Sequence, residues 1–401
     1  MTIAILTRYG SFNENSSQFD LTTIGVRTMT NDNIRHEATA AIARDPSEPL
    51  TFEQVTLQSP RADEVLIKIV ASGICHTDLV CLYQELPVPL PMVLGHEGAG
   101  IVVEAGSAVK DLSPGDHVVL SFNSCGECPS CEHELPSYCY DFMENNFSGC
   151  RGDGTGTMEQ NGEAVNANFF GQSSFATMAI ANVRNTVKVR KDLPLEMLAP
   201  LGCGVQTGAG TVLNSLSVTV ANSMAIFGGG AVGLSALMAA KLVGADPIVV
   251  VEPLADRRAL ALELGADHVI DPFAVENVVE EIKKLVGGVD FSLEMTGIPA
   301  VASQCVAALK PLGTCALVGA APADAEVSIN IMEMLATGRK IVGIVEGDAE
   351  PRTFIPQLIE YYDEGRFPFD RLIDFFPFEA LNEAVEAQGN GQSIKPVVRM
   401  G

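Results

Sequence analysis

Between residues 50 and 180 the hydrophobic positions fall in short Val/Ile-rich runs separated by Gly and Pro: DEVLIKIVASGI (63–74), GAGIVVEAG (98–106) and GDHVVL (115–120). Apolar runs of this length, bounded by turn residues, predict a strand-rich domain. From about 205 to 345 the spacing lengthens. Strand-like MAIF (224–227), PIVVVE (247–252), FSLEMTG (291–297) and TCALVGA (314–320) alternate with helix-period VGLSALMAAKLVG (232–244), ADRRALALELG (255–265) and VENVVEEIKKLVGG (275–288). Such alternation predicts a parallel sheet wound with helices on both faces, so the fold class expected is α/β. Beyond 346 a helical run (351–365) precedes a last strand, KPVVRM (395–400). The Ser/Thr/Asn-rich residues 1–44 carry neither period and read as a loosely ordered N-terminal extension.

Composition narrows the function classes. Apolar residues at 47% and charged residues at 19% exclude a disordered chain. Fifty Asp+Glu against 25 Lys+Arg leave a net charge of −25, which repels phosphate backbones and anionic lipid. No nucleic-acid and no membrane partner is therefore expected, although a local basic pocket could still hold a small anionic cofactor. Residues 197–240 carry no charged side chain, enough length to cross a bilayer. Yet Gly202, Gly204, Gly208, Gly210 and Gly228–Gly230, with Gln206, Asn214 and Asn222, interrupt the stretch, which suits a buried interior better than a lipid-facing helix. The first residues show no apolar secretory core or cleavage pattern, so the ten cysteines are not expected to form disulfides and a cytoplasmic location is expected.

Four of those cysteines, Cys125, Cys128, Cys131 and Cys139, stand as C-x2-C-x2-C-x7-C, with Gly126, Pro129 and Pro136 bending the chain between them. Four converging thiolates suit a closed, tetrahedral structural zinc. A similar ladder can hold an iron–sulfur cluster, but the usual ferredoxin spacings differ. A second set is dispersed: Cys75 in GICHTD, His96 and Glu97 in GHEGAG, and Cys203 in GCGVQTG. Each alone reads as an ordinary buried or hydrogen-bonded residue. Two thiolates and one imidazole together are the ligand set of a catalytic zinc that keeps a fourth position open.

Gly228, Gly230 and Gly233 make G-x-G-x-x-G directly after an apolar strand and before a helical run, and the next strand ends in Glu252. In that setting the glycines permit a tight turn, close approach of a pyrophosphate to backbone N–H groups, and close helix–strand packing. Glu252 would accept hydrogen bonds from the adenosine ribose and would repel a 2′-phosphate, favouring NAD over NADP. Arg257 and Arg258 lie near enough in sequence to weaken that preference, and Arg257 is a candidate cofactor contact.

In this order the motifs resemble those of the zinc-containing alcohol dehydrogenases of the medium-chain dehydrogenase/reductase family, from about residue 50 to the end. LVCLYQELPVPLPMVLGHEGAG (79–100), VVLSFNSCGECPSC (118–131), FFGQSSFATMA (169–179) and PLGCGVQTGAGTVLNSL (200–216) are most similar to the aryl-alcohol (benzyl) and geraniol dehydrogenase branch. The resemblance implies NAD-linked oxidation of small primary alcohols whose carbinol carbon adjoins an aromatic ring or double bond, and the reverse reduction of the aldehydes. It implies a GroES-like catalytic domain over 45–205 and 346–401, a Rossmann domain over 206–345, and two zinc ions per chain. By motif, Cys75, His96 and Cys203 match catalytic zinc ligands and Glu97 an occasional replacement for the zinc-bound water. Asp78 matches the carboxylate that orients the ligand histidine, and Thr77 the hydroxyl that takes the substrate's proton. His76 matches a position beside the pyrophosphate, Thr207 and Val232 line the nicotinamide, and Lys395 matches a C-terminal phosphate contact.

Many family members carry a histidine where this chain has Val80, so the proton's exit is assigned to Thr77, the ribose hydroxyl and His76. Phe169, Phe170, Leu86 and Val318 are expected pocket walls, and Ser121 is expected to leave room for a bulky substrate. The long stretch between Cys139 and Cys203 resembles that of dimeric members, implying a homodimer joined through the Rossmann sheet edge. Three alternatives stand beside this reading: a zinc-free reductase, a non-catalytic dinucleotide-binding relative, and a zinc dehydrogenase for glutathione adducts or polyols.

Overall fold

The computed structural model describes residues 34–401. Two β-sheets pack around the first core. One runs in the order Met92–Val93, Ile34–Ala43, Thr51–Gln58, Met158–Gln160, Glu163–Val165. The other runs Thr186–Val189, His117–Leu120, Glu97–Ala105, Glu64–Gly73, Lys395–Arg399, Ile373–Pro377, with Met178–Asn182 also paired to Glu64–Gly73. Glu64–Gly73 is hydrogen-bonded to three other strands, which is why Val65, Leu66, Ile67 and Ile69 are all fully buried.

The extension expected over 1–44 is corrected at its end. Ile34–Ala43 is a ten-residue strand paired to Thr51–Gln58, and Ala40, Ala41 and Ile42 are fully buried. Alanines fill most of its buried positions, so the segment lacks the Val/Ile signature of a strand. Residues 1–33 of that expected extension lie outside the described residues.

The third sheet is parallel throughout, in the order His268–Ile270, Ile248–Val251, Met224–Phe227, Val289–Glu294, Leu309–Leu317, Lys340–Gly343. The chain starts in the middle at Met224–Phe227, winds outward one way, then returns to wind out the other way. This is the doubly wound order whose crevice opens at the carboxyl ends of the two central strands. The helices Ala231–Val243, Ala255–Glu263 and Val278–Val286 fall where the apolar period places them.

The uncharged run 197–240 passes through the helix Gly204–Gly210, the strand Met224–Phe227 and the helix Ala231–Val243, all largely buried. Among the described residues no helix is long and apolar enough to cross a membrane. The expected boundary at 205/206 falls inside Gly204–Gly210, a fully buried helix that packs against Ala231–Val243 and so connects the two halves. Its contact is backbone-close: a Cβ on Gly208 would lie 2.0 Å from the Val232 carbonyl oxygen. At the other end the last strand, Lys395–Arg399, returns to pair antiparallel with Glu64–Gly73.

Gly208→Ala is expected to force these helices apart at a cost of about 1–3 kcal/mol or more. A denaturant midpoint indistinguishable from wild type would show that the connector is not packed this closely.

Candidate active site

Asp78 organises the centre. It sits in the first turn of the helix His76–Leu82, one turn after Cys75 at the N-cap. Its Oδ2 accepts from the Cys75 backbone N–H at 2.9 Å, while Oδ1 lies 3.1 Å from the Gly95 N and 2.9 Å from His96 Nδ1. One buried carboxylate thus fixes both the Cys75 turn and the imidazole ring. Cys203 arrives from a third segment, as N-cap of the helix Gly204–Gly210. Its Sγ is 4.0 Å from that of Cys75, and the donor atoms of Cys75, His96 and Cys203 all lie within 4.8 Å of one another.

His96 Nε2 is fully buried with no hydrogen-bond partner. With Nδ1 committed to Asp78, that nitrogen presents a lone pair toward two sulfurs, a donor set that fits zinc. The hydrogen bond from Cys203, with Lys395 and His96 nearby, holds the Cys75 thiol well below its ordinary value, so one sulfur of the pair is already disposed to ionise.

Glu97 does not join this convergence. Both its oxygens accept from the Lys395 ammonium, at 2.8 and 2.9 Å, and Oε1 also accepts from the Gly204 N–H at 3.0 Å. Lys395 completes its three N–H donors on the Ile74 carbonyl at 3.0 Å and is only 1% exposed. Lys395, matched by the resemblance to a phosphate contact, lines the same cavity as the glycine loop, pairs Glu97 and sets a positive charge near the Cys75 and Cys203 thiols. Burial pushes the Glu97 carboxyl above its ordinary value, against the pull of Lys395.

Glu346 is the acid that the sequence did not single out. Its Oε1 lies 3.4 Å from Cys203 Sγ, and Oε2 accepts from Gln206 Nε2 and Thr207 Oγ1, each at 3.2 Å. Burial pushes its carboxyl up to about 7. An isolated glutamate in an acid-rich chain carries no spacing signal, so only the folded geometry brings it to notice.

A cavity of about 1320 Å³ joins this cluster to the glycine loop. Cys75, His76, Thr77, Cys203 and Thr207 line one side, and Gly228, Gly230, Val232, Gly233, Glu252 and Arg257 the other. Thr77 Oγ1 stands 3.8 Å from Cys75 Sγ, and His76 is exposed at the cleft. Gly228 adopts φ +106°, where a side chain would strain the turn, and a Cβ on Gly233 would lie 1.9 Å from the Gly228 carbonyl. Glu252 is strapped to the loop: Oε2 accepts from the Gly229 N–H at 2.7 Å and Oε1 from the Leu254 N–H at 2.8 Å. Arg257 reaches across to the Gly391 and Ser393 carbonyls. Arg258 is occupied by the Glu252 and Pro253 carbonyls and by Asp271.

The apolar end is aromatic. Leu86, Phe170 and Val318 line the cavity as expected, joined by Phe142 and Phe147, which the sequence reading missed. Phe170 stacks on the His96 ring with centroids 4.4 Å apart. Two expectations are corrected. Phe169 is fully buried behind Phe170, with its ring edge-on to His96, because the irregular turn at Phe170 (φ +51°) sends the two rings different ways. Ser121 is also fully buried, donating to the Gly202 carbonyl and accepting from Gln206, so it widens nothing.

The other four cysteines form their own lobe, with all four sulfurs within 4.8 Å of one another. Backbone N–H groups of Cys125 and Tyr140 point at Cys139 and Cys128 sulfurs, and the Tyr140 contact holds the Cys128 thiol down at about 6. Donors aimed at sulfur stabilise thiolates, which fits a metal held by four of them.

Residues 61–191 match the alcohol dehydrogenase GroES-like domain family, and residues 231–362 the zinc-binding dehydrogenase family. The chain is 50% identical to geraniol dehydrogenase from Castellaniella defragrans over 363 residues, covering 90% of this chain and 97% of that protein. It is 35% identical to S-(hydroxymethyl)glutathione dehydrogenase from Paracoccus denitrificans over 90% of this chain and 98% of that one. The crystal structure of benzyl alcohol dehydrogenase from Acinetobacter calcoaceticus superposes with a TM-score of 0.89 at 44% identity, covering 92% of this chain and all of that one.

Glu97→Gln leaves the Lys395 ammonium buried without its counter-charge and is expected to cost about 3–5 kcal/mol of stability. Adding Lys395→Met is expected to recover most of it. Urea unfolding of both variants checks this, and a loss below about 1 kcal/mol in the single variant would refute the pairing.

Proposed function

The chain belongs to the zinc-binding alcohol dehydrogenases, and on that premise we propose that it interconverts primary aryl or allylic alcohols and their aldehydes with NAD. Oxidoreduction of small alcohols with zinc and a nicotinamide dinucleotide, NAD or NADP, comes with the membership. The observation that carries the finer reading is the buried, unpartnered His96 Nε2 facing two thiols at the aromatic end of a cleft that continues to the glycine loop.

Cys75, His96 and Cys203 would hold the catalytic zinc, which supplies a Lewis acid that lowers the pKa of an alcohol hydroxyl. Asp78 keeps the proton on His96 Nδ1 and so aims the Nε2 lone pair. Lys395 offsets the charge of the neighbouring thiolates. Thr77 takes the alcohol's proton and passes it toward the cleft mouth, where His76 is the exposed acceptor and Val80 offers none. Phe142, Phe147 and Phe170 give an aryl or allylic group flat apolar walls beside the metal ligands.

On the far side NAD would serve as hydride acceptor. The N-terminus of the helix Ala231–Val243, capped by Gly230, would receive its pyrophosphate. Glu252 would accept from the adenosine ribose and repel a 2′-phosphate, while Thr207 and Val232 would lie against the nicotinamide. Arg257, which lines the cleft with the glycine loop, would be a cation for the cofactor phosphates.

The four-cysteine lobe would hold a second, structural zinc. The GroES-like domain would comprise residues 34–205 with 346–401, and the Rossmann domain 206–345. All ten cysteines are free, which favours a reducing compartment such as the cytoplasm. The Rossmann sheet ends in Lys340–Gly343, paired on one side only, beside a helix whose Ile331, Met332 and Leu335 are 69–77% exposed. An open edge flanked by apolar side chains suits pairing with a second copy into a homodimer.

Metal analysis is expected to find two zinc ions per chain and one in Cys203→Ser. Cinnamyl alcohol is expected to exceed sorbitol in kcat/KM by about 100-fold or more, and NAD to exceed NADP similarly. A zinc-free protein, or one without NAD-linked turnover on any alcohol in a broad panel, would overturn the reading. Sedimentation is expected to give the mass of two chains, halved by the double substitution Ile331→Glu and Leu335→Glu. A mass near four chains would refute the dimer.

A further inference from the structure

The carboxylate of Glu346 is presented by a strained turn. Glu346, Gly347 and Asp348 follow one another at φ +52°, +66° and +50°, so two residues with side chains sit in the left-handed region that glycine prefers. Three left-handed residues in a row persist only where their surroundings impose them. On one side Gly347 is pressed onto the connecting helix: a Cβ on Gly210 would lie 2.3 Å from the Gly347 carbonyl oxygen, and Asn214 Nδ2 donates to that oxygen at 3.1 Å. On the other side the Tyr138 hydroxyl donates to Asp348 Oδ1 at 2.6 Å.

Tyr138 belongs to the four-cysteine lobe. It closes the short turn Pro136–Tyr138 and immediately precedes Cys139, one of the four convergent sulfurs. Glu346, at the far end of the turn, meets three groups on a single helix face. Cys203, Gln206 and Thr207 stand at i, i+3 and i+4, and all three contact its carboxylate. The lobe is therefore tied by one side-chain hydrogen bond to the turn that staples down both a proposed metal ligand and a proposed nicotinamide contact.

We propose that Tyr138 and Asp348 couple the four-cysteine lobe to the active site by holding the left-handed turn that places Glu346 against Cys203, Gln206 and Thr207. Glu346 is a positioning residue in this arrangement, and Tyr138 is its anchor. The proposal rests on the assignment of Cys203 and Thr207 made above.

The test compares full-length wild type, Tyr138→Phe, Asp348→Ala and Asp348→Asn. Each is loaded with cobalt(II) at the Cys75/His96/Cys203 site, and its visible ligand-field spectrum and NADH dissociation constant are measured. Tyr138→Phe and Asp348→Ala are expected to shift the cobalt bands and weaken NADH binding about 3- to 10-fold, the loss of one net hydrogen bond. Asp348→Asn keeps an acceptor for the phenol and is expected to retain the wild-type spectrum and affinity. Because Asp348→Ala leaves the lobe's own sequence intact, it decides the matter should Tyr138→Phe lose its lobe metal. Wild-type spectra and affinities in both disrupting variants would overturn the coupling. Wild type that binds cobalt but never reduces NAD with an alcohol would instead defeat the assigned activity and leave the spectral comparison to stand.

Discussion

A buried imidazole nitrogen with nothing to bind governs the centre of this molecule. Leaving such a group unpaired costs about 1–3 kcal/mol, and chains rarely keep that cost without a use for it. His96 Nε2 is bare because Asp78 has already claimed Nδ1 and because Phe169 and Phe170 cover the ring. It faces two sulfurs that come from the start of the helix His76–Leu82 and the start of Gly204–Gly210. Three distant segments are thus held to one point by a carboxylate that hydrogen-bonds two of them. An ion held by such a donor set would link the stability of the β-rich half to its metal content.

The charges at that point explain why the chain's end comes home. Two ionisable sulfurs, Glu97 and Glu346 are all buried here, and Lys395 is a cation that pairs with Glu97 and stands near the sulfurs. It arrives on Lys395–Arg399, a strand added to Glu64–Gly73 after the whole parallel sheet has been made. Without that last strand Glu97 would be an unbalanced buried carboxylate. The discontinuous first domain is therefore more than a packing arrangement: its closing strand supplies the positive charge that the ligand cluster requires.

Legibility in the sequence followed the range of the interaction. The glycine loop, the four-cysteine ladder and the alternating strands and helices of residues 224–317 depend on neighbours within a turn or two, and the local pattern announced them. Ile34–Ala43 lacks a strand signature because alanines supply most of its buried positions. The pairing of Lys395 with Glu97 is not legible either, because Glu97 lies nearly 300 residues earlier and only the sheet register joins them. Phe169 and Ser121 were placed on the cavity by motif; a left-handed Phe170 and a hydrogen bond to Gly202 turn them inward. Glu346 had no local mark at all. Glu346 and Lys395 are long-range contacts whose partners the one-dimensional pattern does not name, whereas Phe169 is redirected by the backbone of its own neighbour.

The Phe170 geometry carries this one step further. Its ring lies against the face of His96 while also bounding the apolar end of the cleft, and Phe142 and Phe147 pack edge-on around it. One side chain is thereby both a wall of the cleft and a support for the His96 ring. Enlarging the pocket at Phe170 would remove the ring that fixes the imidazole, whereas Phe142, which does not touch His96 in the ring contacts seen here, can change the pocket without disturbing the ligand. Substitution of Phe142 or Leu86 therefore changes the lining of the cleft while leaving the Phe170–His96 stack in place.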